Sequence, residues 1–156
     1  MGHLLKSKLL EFKEDVQDIA LSSLKEADIE NKKSAIATDW EDREFKFAEF
    51  KHRGTIILKG DETAQIKEQL EESQLALGSM LASRNIGPFR EEVHACLAKL
   101  SGVSETLTLW MEVQSTWMYL EAVFAGGDIV KQLPQEARRF GLIDKHWVKI
   151  MQKACE

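Results

Sequence analysis

The sequence predicts a mainly α-helical protein, an elongated bundle or rod of about five to seven helices with one small β-hairpin near residues 44–58. Three observations predict this class. Apolar residues recur at three- and four-residue steps along most of the 156 residues. Only two prolines and nine glycines interrupt the chain, which favours long helices over many short strands. One segment changes to near alternation, and it marks the hairpin.

The first helical pattern follows Met1-Gly2-His3, which resembles a cloning remnant and is set aside. The expected organisation is therefore a tag remnant at 1–3 and a single helical unit at 4–156. A second helix is expected from Asp28, with Ile29, Ile36 and Trp40 on one side. The apolar stripe that predicts the first helix weakens near Ala27 and consists of Leu5, Leu9, Phe12, Val16, Ile19 and Leu24.

Residues 44–58 have a different period. Phe45 and Phe47 alternate with charged residues, and the β-branched run Thr55-Ile56-Ile57-Leu58 follows a turn that contains Gly54. Two such runs around a glycine turn predict a hairpin. A lone hairpin is marginally stable in water, so we expect its aromatic side to pack on helices.

Two more helices are predicted in the middle of the chain. Asp61 is placed to cap the first of them, because its side-chain oxygen can accept from the free amide groups of the first turn. Pro88 suits the first turn of the second, which should end near Ser101-Gly102. Their expected buried residues are Ile66, Leu70, Leu77 and Leu81 in the first, and Phe89, Val93, Cys96, Leu97 and Leu100 in the second.

An aromatic helix from Leu107 to Phe124 is the most distinctive segment. A short helical turn at Asp128–Leu133 should follow, then a short helix from Pro134, then a last helix capped by Asp144 after Gly141. The aromatic helix is expected to bury a stripe at three- and four-residue steps, formed by Trp110, Val113, Trp117, Leu120 and Phe124.

Composition narrows the functional classes. The net charge is −5 and the pI is about 5.5, which argues against nucleic acid, since binding phosphates needs a positive surface. No apolar run reaches the roughly 18 residues that span a bilayer, so we expect no membrane partner and a soluble, intracellular protein. Cys96 and Cys155 form no disulfide framework and fit a reducing compartment.

Residues that carry chemistry are not grouped. There is no glycine-rich phosphate loop. The four histidines, His3, His52, His94 and His146, lie far apart in sequence without carboxylates at metal-ligand spacing. We therefore predict no catalytic, cofactor-binding or metal-binding residues.

The stretch from Leu107 to Met151 resembles the linker region of dynein heavy chains. That family has a Trp-x-x-x-Gln-x-x-Trp-x-Tyr-Leu-Glu segment, then Gln-Leu-Pro-x-Glu, then Ile-Asp-x-x-Trp-x-x-Ile-Met. Ala125–Asp128 and Arg138-Arg139 are more similar to axonemal chains, particularly outer-arm ones. The matching residues are Trp110, Gln114, Trp117, Tyr119, Leu120, Glu121, Phe124, Asp128, Ile129, Gln132, Leu133, Pro134, Glu136, Phe140, Ile143, Asp144, Trp147, Ile150 and Met151.

The resemblance implies a non-catalytic mechanical linker segment that couples ATP-driven changes in a motor ring to microtubule-based movement in cilia or flagella. The parent chain would be a microtubule-motor ATPase that binds ATP and Mg outside this segment. The implied partners are the tail and ATPase ring of the same heavy chain, microtubules through that chain, and other dynein subunits. The implied location is the cytoplasm and cytoskeleton, at the axoneme.

A standalone helical scaffold or protein-interaction module is the alternative, because four tryptophans in 156 residues can serve as interface anchors as well as core. The chain starts in mid-pattern at Leu4 and stops at Glu156 just after a helix, which favours an excised segment. Burial of Trp117 would favour the linker interpretation, and its exposure would favour the module.

Overall fold

The computed structural model describes the backbone of residues 2–156 and the side chains from residue 6 onward. Met1 of the expected tag remnant and the side chain of Leu5 in the first stripe lie outside the described residues. The α-helices, in chain order, are α1 (Gly2–Glu41), α2 (Gly60–Leu81), α3 (Arg90–Ala125), α4 (Gly127–Gln132) and α5 (Pro134–Cys155). The strands are β1 (Phe47–Glu49) and β2 (Thr55–Leu58), and a short 3-10 helix, Gly87–Phe89, precedes α3.

The mainly helical class with one hairpin is confirmed, since 83% of the structure is helical. Pro88 lies in the 3-10 turn that leads directly into α3. No helix within the described residues is both long and apolar enough to cross a membrane.

Three predicted helix boundaries are wrong. The chain continues as one helix through Ala27-Asp28 in α1, through Ser101-Gly102 in α3 and through Gly141 in α5. A glycine inside a helix is less favourable than alanine by only about 1 kcal/mol, which packing of the helix readily offsets. Asp144 is not a cap, because it lies in the interior of α5. Its carboxylate instead accepts hydrogen bonds from Arg53 and Trp117.

The backbone divides into two compact units. Unit 1 contains residues 1–43 and 72–101, and unit 2 contains residues 44–71 and 102–156. The helices α2 and α3 therefore each contribute one part to unit 1 and the other part to unit 2. That residues 4–156 form a single helical unit, with a tag remnant before it, stays a prediction.

Unit 1 packs the second half of α1. Trp40 Nε1 donates to Ser73 Oγ at 3.0 Å. The Lys33 ammonium lies 5.0 Å from the centroid of the Phe89 ring and also pairs with Glu92. The buried apolar residues of this unit are Ile29, Leu77, Met80, Ile86, Val93 and Leu100.

The apolar face of the first half of α1 is exposed to solvent. Large apolar side chains there keep 51–69% of their surface accessible. The periodicity correctly indicates a helix with an apolar face, but among the described residues no element covers that face. The exposed residues are Leu9, Leu10, Phe12, Val16, Ile19, Leu21 and Leu24.

Unit 2 is built around the antiparallel hairpin. Phe47 is paired with Leu58, and the register shifts between Ala48 and Glu49. Two hydrogen bonds close the turn: the Phe50 amide donates to the Gly54 carbonyl, and the Arg53 amide donates to the Phe50 carbonyl, each at 3.0 Å. The turn needs a glycine at position 54, because φ there is 91°. The buried apolar residues are Phe50, Ile56, Leu58, Ile66, Leu70, Leu107, Trp117, Trp147 and Met151.

A pair of leucines on α2 tests the core of unit 1. Leu77 is fully buried, whereas Leu75 is 75% exposed. Leu77→Ala should lower the free energy of unfolding by about 2–5 kcal/mol, because it removes buried methyl groups and leaves a cavity. Leu75→Ala should change it by no more than about 0.5 kcal/mol. Urea unfolding of both variants checks this, and equal midpoints would contradict the burial of Leu77.

Candidate functional site

The most highly connected polar and aromatic side chains of unit 2 surround the hairpin. We define the hairpin clamp as Gln114 and Trp117 of α3 together with Asp144 and Trp147 of α5. Each of these four residues bonds the hairpin directly or through a neighbour in the clamp. Within the described residues, no group of three or more histidine, cysteine, aspartate or glutamate side chains could hold a metal ion.

Gln114 extends the hairpin with a side-chain amide. Its Oε1 accepts from the Leu58 amide at 2.7 Å, and its Nε2 donates to the Leu58 carbonyl at 3.2 Å. The neighbouring Lys59 amide turns the other way and donates to the Lys46 carbonyl at 2.9 Å. Gln114 thus imitates a neighbouring strand at one residue of β2, and it is itself only 4% exposed.

Two tryptophans close the clamp over the hairpin. Trp147 Nε1 donates to the Ile56 carbonyl at 3.1 Å. The Trp147 ring stacks on Trp117, with centroids 5.6 Å apart and planes inclined by 21°. Phe50 meets Trp117 edge-on at 5.0 Å. Both are favourable aromatic arrangements, so Trp117 contacts the hairpin on one side and α5 on another.

Asp144 is the charged centre of the clamp. Its Oδ1 accepts from Trp117 Nε1 at 3.0 Å, and its Oδ2 pairs with Arg53 Nη2 at 2.6 Å. The Arg53 guanidinium also lies 5.4 Å from the Trp117 ring centroid. Both oxygens of the carboxylate are thereby used, one by α3 and one by the hairpin turn.

The electrostatics follow from these contacts. The hydrogen bond from Arg53 is the main cause that lowers the pKa of Asp144; partial burial opposes it, and the bond from Trp117 adds to it. The same hydrogen bond raises the pKa of Arg53. Each partner thus favours the charged form of the other, as hydrogen bonding to a charged group does.

A second ion pair joins the hairpin turn to α3. Lys51 Nζ lies 2.7 Å from Glu121 Oε2. Lys51 and Arg53, two residues apart in the turn, therefore bind carboxylates on two different helices of unit 2. Lys51 has φ of 51°, a left-handed backbone conformation that is uncommon for residues other than glycine.

The aromatic face of the hairpin packs as the sequence predicts. Phe45 and Phe47 contact the ring of Trp110, with centroids 6.1 and 6.2 Å apart. Trp110 Nε1 in turn donates to the Met151 sulfur at 3.1 Å. Further along α3, Phe124 stacks on Phe140 of α5 with centroids 5.2 Å apart.

The predicted stripe of α3 needs one correction. Trp117 is buried at 2% exposure, as expected, but Val113 is 51% exposed. The stripe that unit 2 buries or half-buries is Leu107, Trp110, Gln114, Trp117, Leu120 and Phe124. A stripe predicted from apolar residues alone does not include the polar Gln114. Its helical position, four residues after Trp110 and three before Trp117, was the signal that could have found it.

Sequence reasoning also missed the ion pairs of Arg53 and Lys51. Charged residues in a turn are usually solvated, and their partners Asp144 and Glu121 lie 91 and 70 residues further along the chain. Trp147 is buried, whereas Trp40 and Trp110 are half-buried.

Fold and site together define a mainly helical segment that is organised by a clamped hairpin. This segment matches, over residues 1–156, the family described as dynein heavy chain, N-terminal region 2. The chain belongs to the dynein heavy chain family.

Similar chains are flagellar and axonemal dynein heavy chains. Over 156 residues, all of this chain, it is 50% identical to the dynein gamma chain of the flagellar outer arm of Chlamydomonas reinhardtii and 46% identical to human dynein axonemal heavy chain 8. A dynein-1-alpha heavy chain of the flagellar inner arm I1 complex of the same alga is 36% identical over 161 residues. The chain spans only 4% of the first two relatives and 3% of the third.

The resemblance to axonemal dynein heavy chains is therefore confirmed, and with it the expected axonemal, cytoskeletal location. All four clamp residues match the family pattern by residue type, two in the aromatic helix and two in the final Ile-Asp-x-x-Trp segment. The structure adds what they do: Trp117, Asp144 and Trp147, together with Gln114, hold the hairpin.

The Gln114 contact can be tested by an apolar replacement of similar size. Gln114→Leu leaves the amide and the carbonyl of Leu58 without their side-chain partner in a buried place. Each buried group left unpaired should lower the free energy of unfolding by about 1–3 kcal/mol. Gln65→Leu, an exposed position on α2, is the matched control and should have little effect. Urea unfolding measures both, and a Gln114→Leu variant as stable as the parent would contradict the role of Gln114.

Acid should selectively weaken the clamp. Because the folded pKa of Asp144 lies below its unfolded value, Asp144 contributes stability that is fully present above the usual aspartate pKa of about 3.9. That contribution is lost as the pH falls through the lowered folded pKa. Asp144→Asn should therefore be less stable than the parent at pH 7, and the difference should shrink below about pH 4.

Urea unfolding from pH 7 to pH 3 measures this difference. Asp128→Asn, at an exposed position in α4, is the control and should stay close to the parent throughout. The pKa of Glu62 is also lowered, by hydrogen bonds from Lys59 and Lys46, but Glu62 is present in every variant and cancels. A difference for Asp144→Asn that does not change with pH would contradict the argument.

Proposed function

We propose that this chain is a non-catalytic, mechanical segment of the linker of an axonemal dynein heavy chain. It would help to couple ATP-driven changes in the motor ring of that heavy chain to movement along microtubules. The observation that carries the proposal is the match of the whole chain to N-terminal region 2 of dynein heavy chains. The names of the relatives, with their outer-arm and inner-arm chains, support the flagellar setting.

The hairpin clamp supports a mechanical role. Transmitting force requires an element that keeps its shape, and close-packed interiors transmit strain because they are hardly compressible. In unit 2 the hairpin turn is tied to α3 through Glu121 and to α5 through Asp144. The stacked rings of Trp117 and Trp147 pack α3 against α5. Displacing one element would break several of these bonds together.

The described side chains support a non-catalytic role. The carboxylates with shifted pKa values, Asp144 and Glu62, are paired with Arg53 and with Lys59 and Lys46. Both carboxylates are thus engaged in ion pairs with other residues of unit 2. We assign ATP and Mg to the remainder of the heavy chain, together with the contacts to microtubules and to other subunits.

The interaction module remains a second candidate, because the exposed apolar residues of α1 are a specific observation in its favour. An exposed apolar patch of this kind marks a surface that binds another element. Burial of Trp117 removes the other argument for the module, since this tryptophan is engaged inside unit 2.

The coupling role is tested by Asp144→Asn in the full-length heavy chain that contains this segment. Losing the Arg53 pair should loosen unit 2 without touching the nucleotide sites, so the ATP consumed per distance of microtubule gliding should rise. We expect a rise of about twofold or more, since altering a coupling element changes coupling by about 0.5–2 kcal/mol. Asp128→Asn is the control and should glide like the parent.

Two results would count against the proposal. If Asp144→Asn changes neither ATP turnover nor gliding, the clamp takes no part in coupling. If titration of the 156-residue chain with ATP and Mg releases binding heat in a calorimeter, the segment is not free of nucleotide chemistry. The expected result of that titration is no binding.

A further inference from the structure

We propose that the exposed apolar face of α1 docks an amphipathic helix with acidic flanks that belongs to another part of the same heavy chain. The α1 seam is defined as Leu9, Phe12, Val16 and Ile19. The proposal rests on membership in the dynein heavy chain family and adds an intramolecular contact that the proposed function leaves unassigned.

The α1 seam has the spacing of a coiled-coil contact. Its members follow one another at steps of three, four and three residues, which are the a and d positions of a heptad. All four are between 51% and 69% exposed. Near its start, Lys6 and Lys13 border a shallow apolar surface that also includes Leu9, Leu10 and Phe12. A helix of another segment would fit its own apolar residues between these side chains.

Charge selects the partner. The positions that flank the seam carry Lys6, Lys8 and Lys13 against a single acid, Asp15. The other acids of this stretch, Glu11, Glu14 and Asp18, occupy the outer face of the helix. Flanking charges in a coiled coil face those of the partner and decide which partner is accepted. A basic flank therefore favours a helix with glutamate or aspartate beside its apolar stripe.

The same charges argue against a second copy of this chain. In a parallel pair, Lys8 of one copy would face Lys13 of the other, because these are the g and the following e positions. In an antiparallel pair, the flank with Lys6 and Lys13 would face the same flank of the second copy. Both arrangements bring lysines together, and like charges that close repel each other.

The size of the relatives favours a helix of the same heavy chain as the occupant. This chain spans only 4% of the outer-arm gamma chain of the alga, so most of such a polypeptide lies outside the structure. A helix on the same polypeptide binds intramolecularly, and its effective concentration far exceeds that of a separate subunit. A contact of moderate intrinsic strength is then permanently occupied.

Amide hydrogen exchange tests the contact in the full-length heavy chain, purified without other dynein subunits. Residues 9–24 should exchange about tenfold more slowly there than in the 156-residue chain, since protection follows the free energy of opening. A triple variant, Lys6→Glu, Lys8→Glu and Lys13→Glu, should lose most of that protection. The control variant makes the same charge change at Lys99, Lys149 and Lys153, all exposed, and should keep it.

Four results would overturn the proposal. Residues 9–24 could exchange equally fast in both proteins. Protection could appear only after other subunits are added, which would make a separate protein the occupant. The 156-residue chain could protect these residues by itself with rising concentration, which would identify a second copy. The triple variant could keep its protection, which would show that the docked helix does not use acidic residues to bind these lysines. The gliding experiment reads out coupling alone, so each proposal can fail while the other stands.

Discussion

The two hydrogen bonds between the Gln114 side chain and the backbone of Leu58 determine how unit 2 is arranged. A two-stranded hairpin has a free edge on each strand, and its backbone groups must find partners once helices bury them. Gln114 satisfies both groups of Leu58 at the point where α3 meets β2. The apolar packing of Ile56 and Leu58 depends on that, because burial without those bonds would be unfavourable.

Asp144 pairs the charged group of the hairpin turn, as Gln114 pairs the backbone groups of Leu58. Arg53 stays partly accessible next to the buried ring of Trp117, a place where an unpaired guanidinium would lose part of its hydration. The carboxylate compensates for that loss, and its second oxygen orients Trp117. One residue of α5 thereby fixes the turn of the hairpin and the central ring of α3 together. The proposed mechanical role draws on this sharing of partners, because displacing Asp144 would break its bonds to Arg53 and to Trp117 together.

The apolar stripes of α1 and α3 differ in their burial. Unit 2 uses its aromatic residues internally, whereas α1 exposes apolar residues at regular spacing. Both were equally apolar stripes in the sequence. The difference explains why the chain supports two proposals that do not compete: an internal scaffold in unit 2, and a contact with another helix through the α1 seam.

The sequence by itself determined the helical class, the hairpin at 44–58, the family and the burial of Trp117. These depend on local periodicity, on turn residues such as Gly54 and on the type and order of residues, all of which are written along the chain. Only the tertiary structure decided that Gln114 replaces Val113 in the buried stripe, that Asp144 binds Arg53 and Trp117 instead of capping a helix, and that the stripe of α1 is exposed. The physical reason is that each of these depends on a partner far along the chain. Periodicity shows that a helix has an apolar face, but whether that face is covered is decided by the element that packs against it.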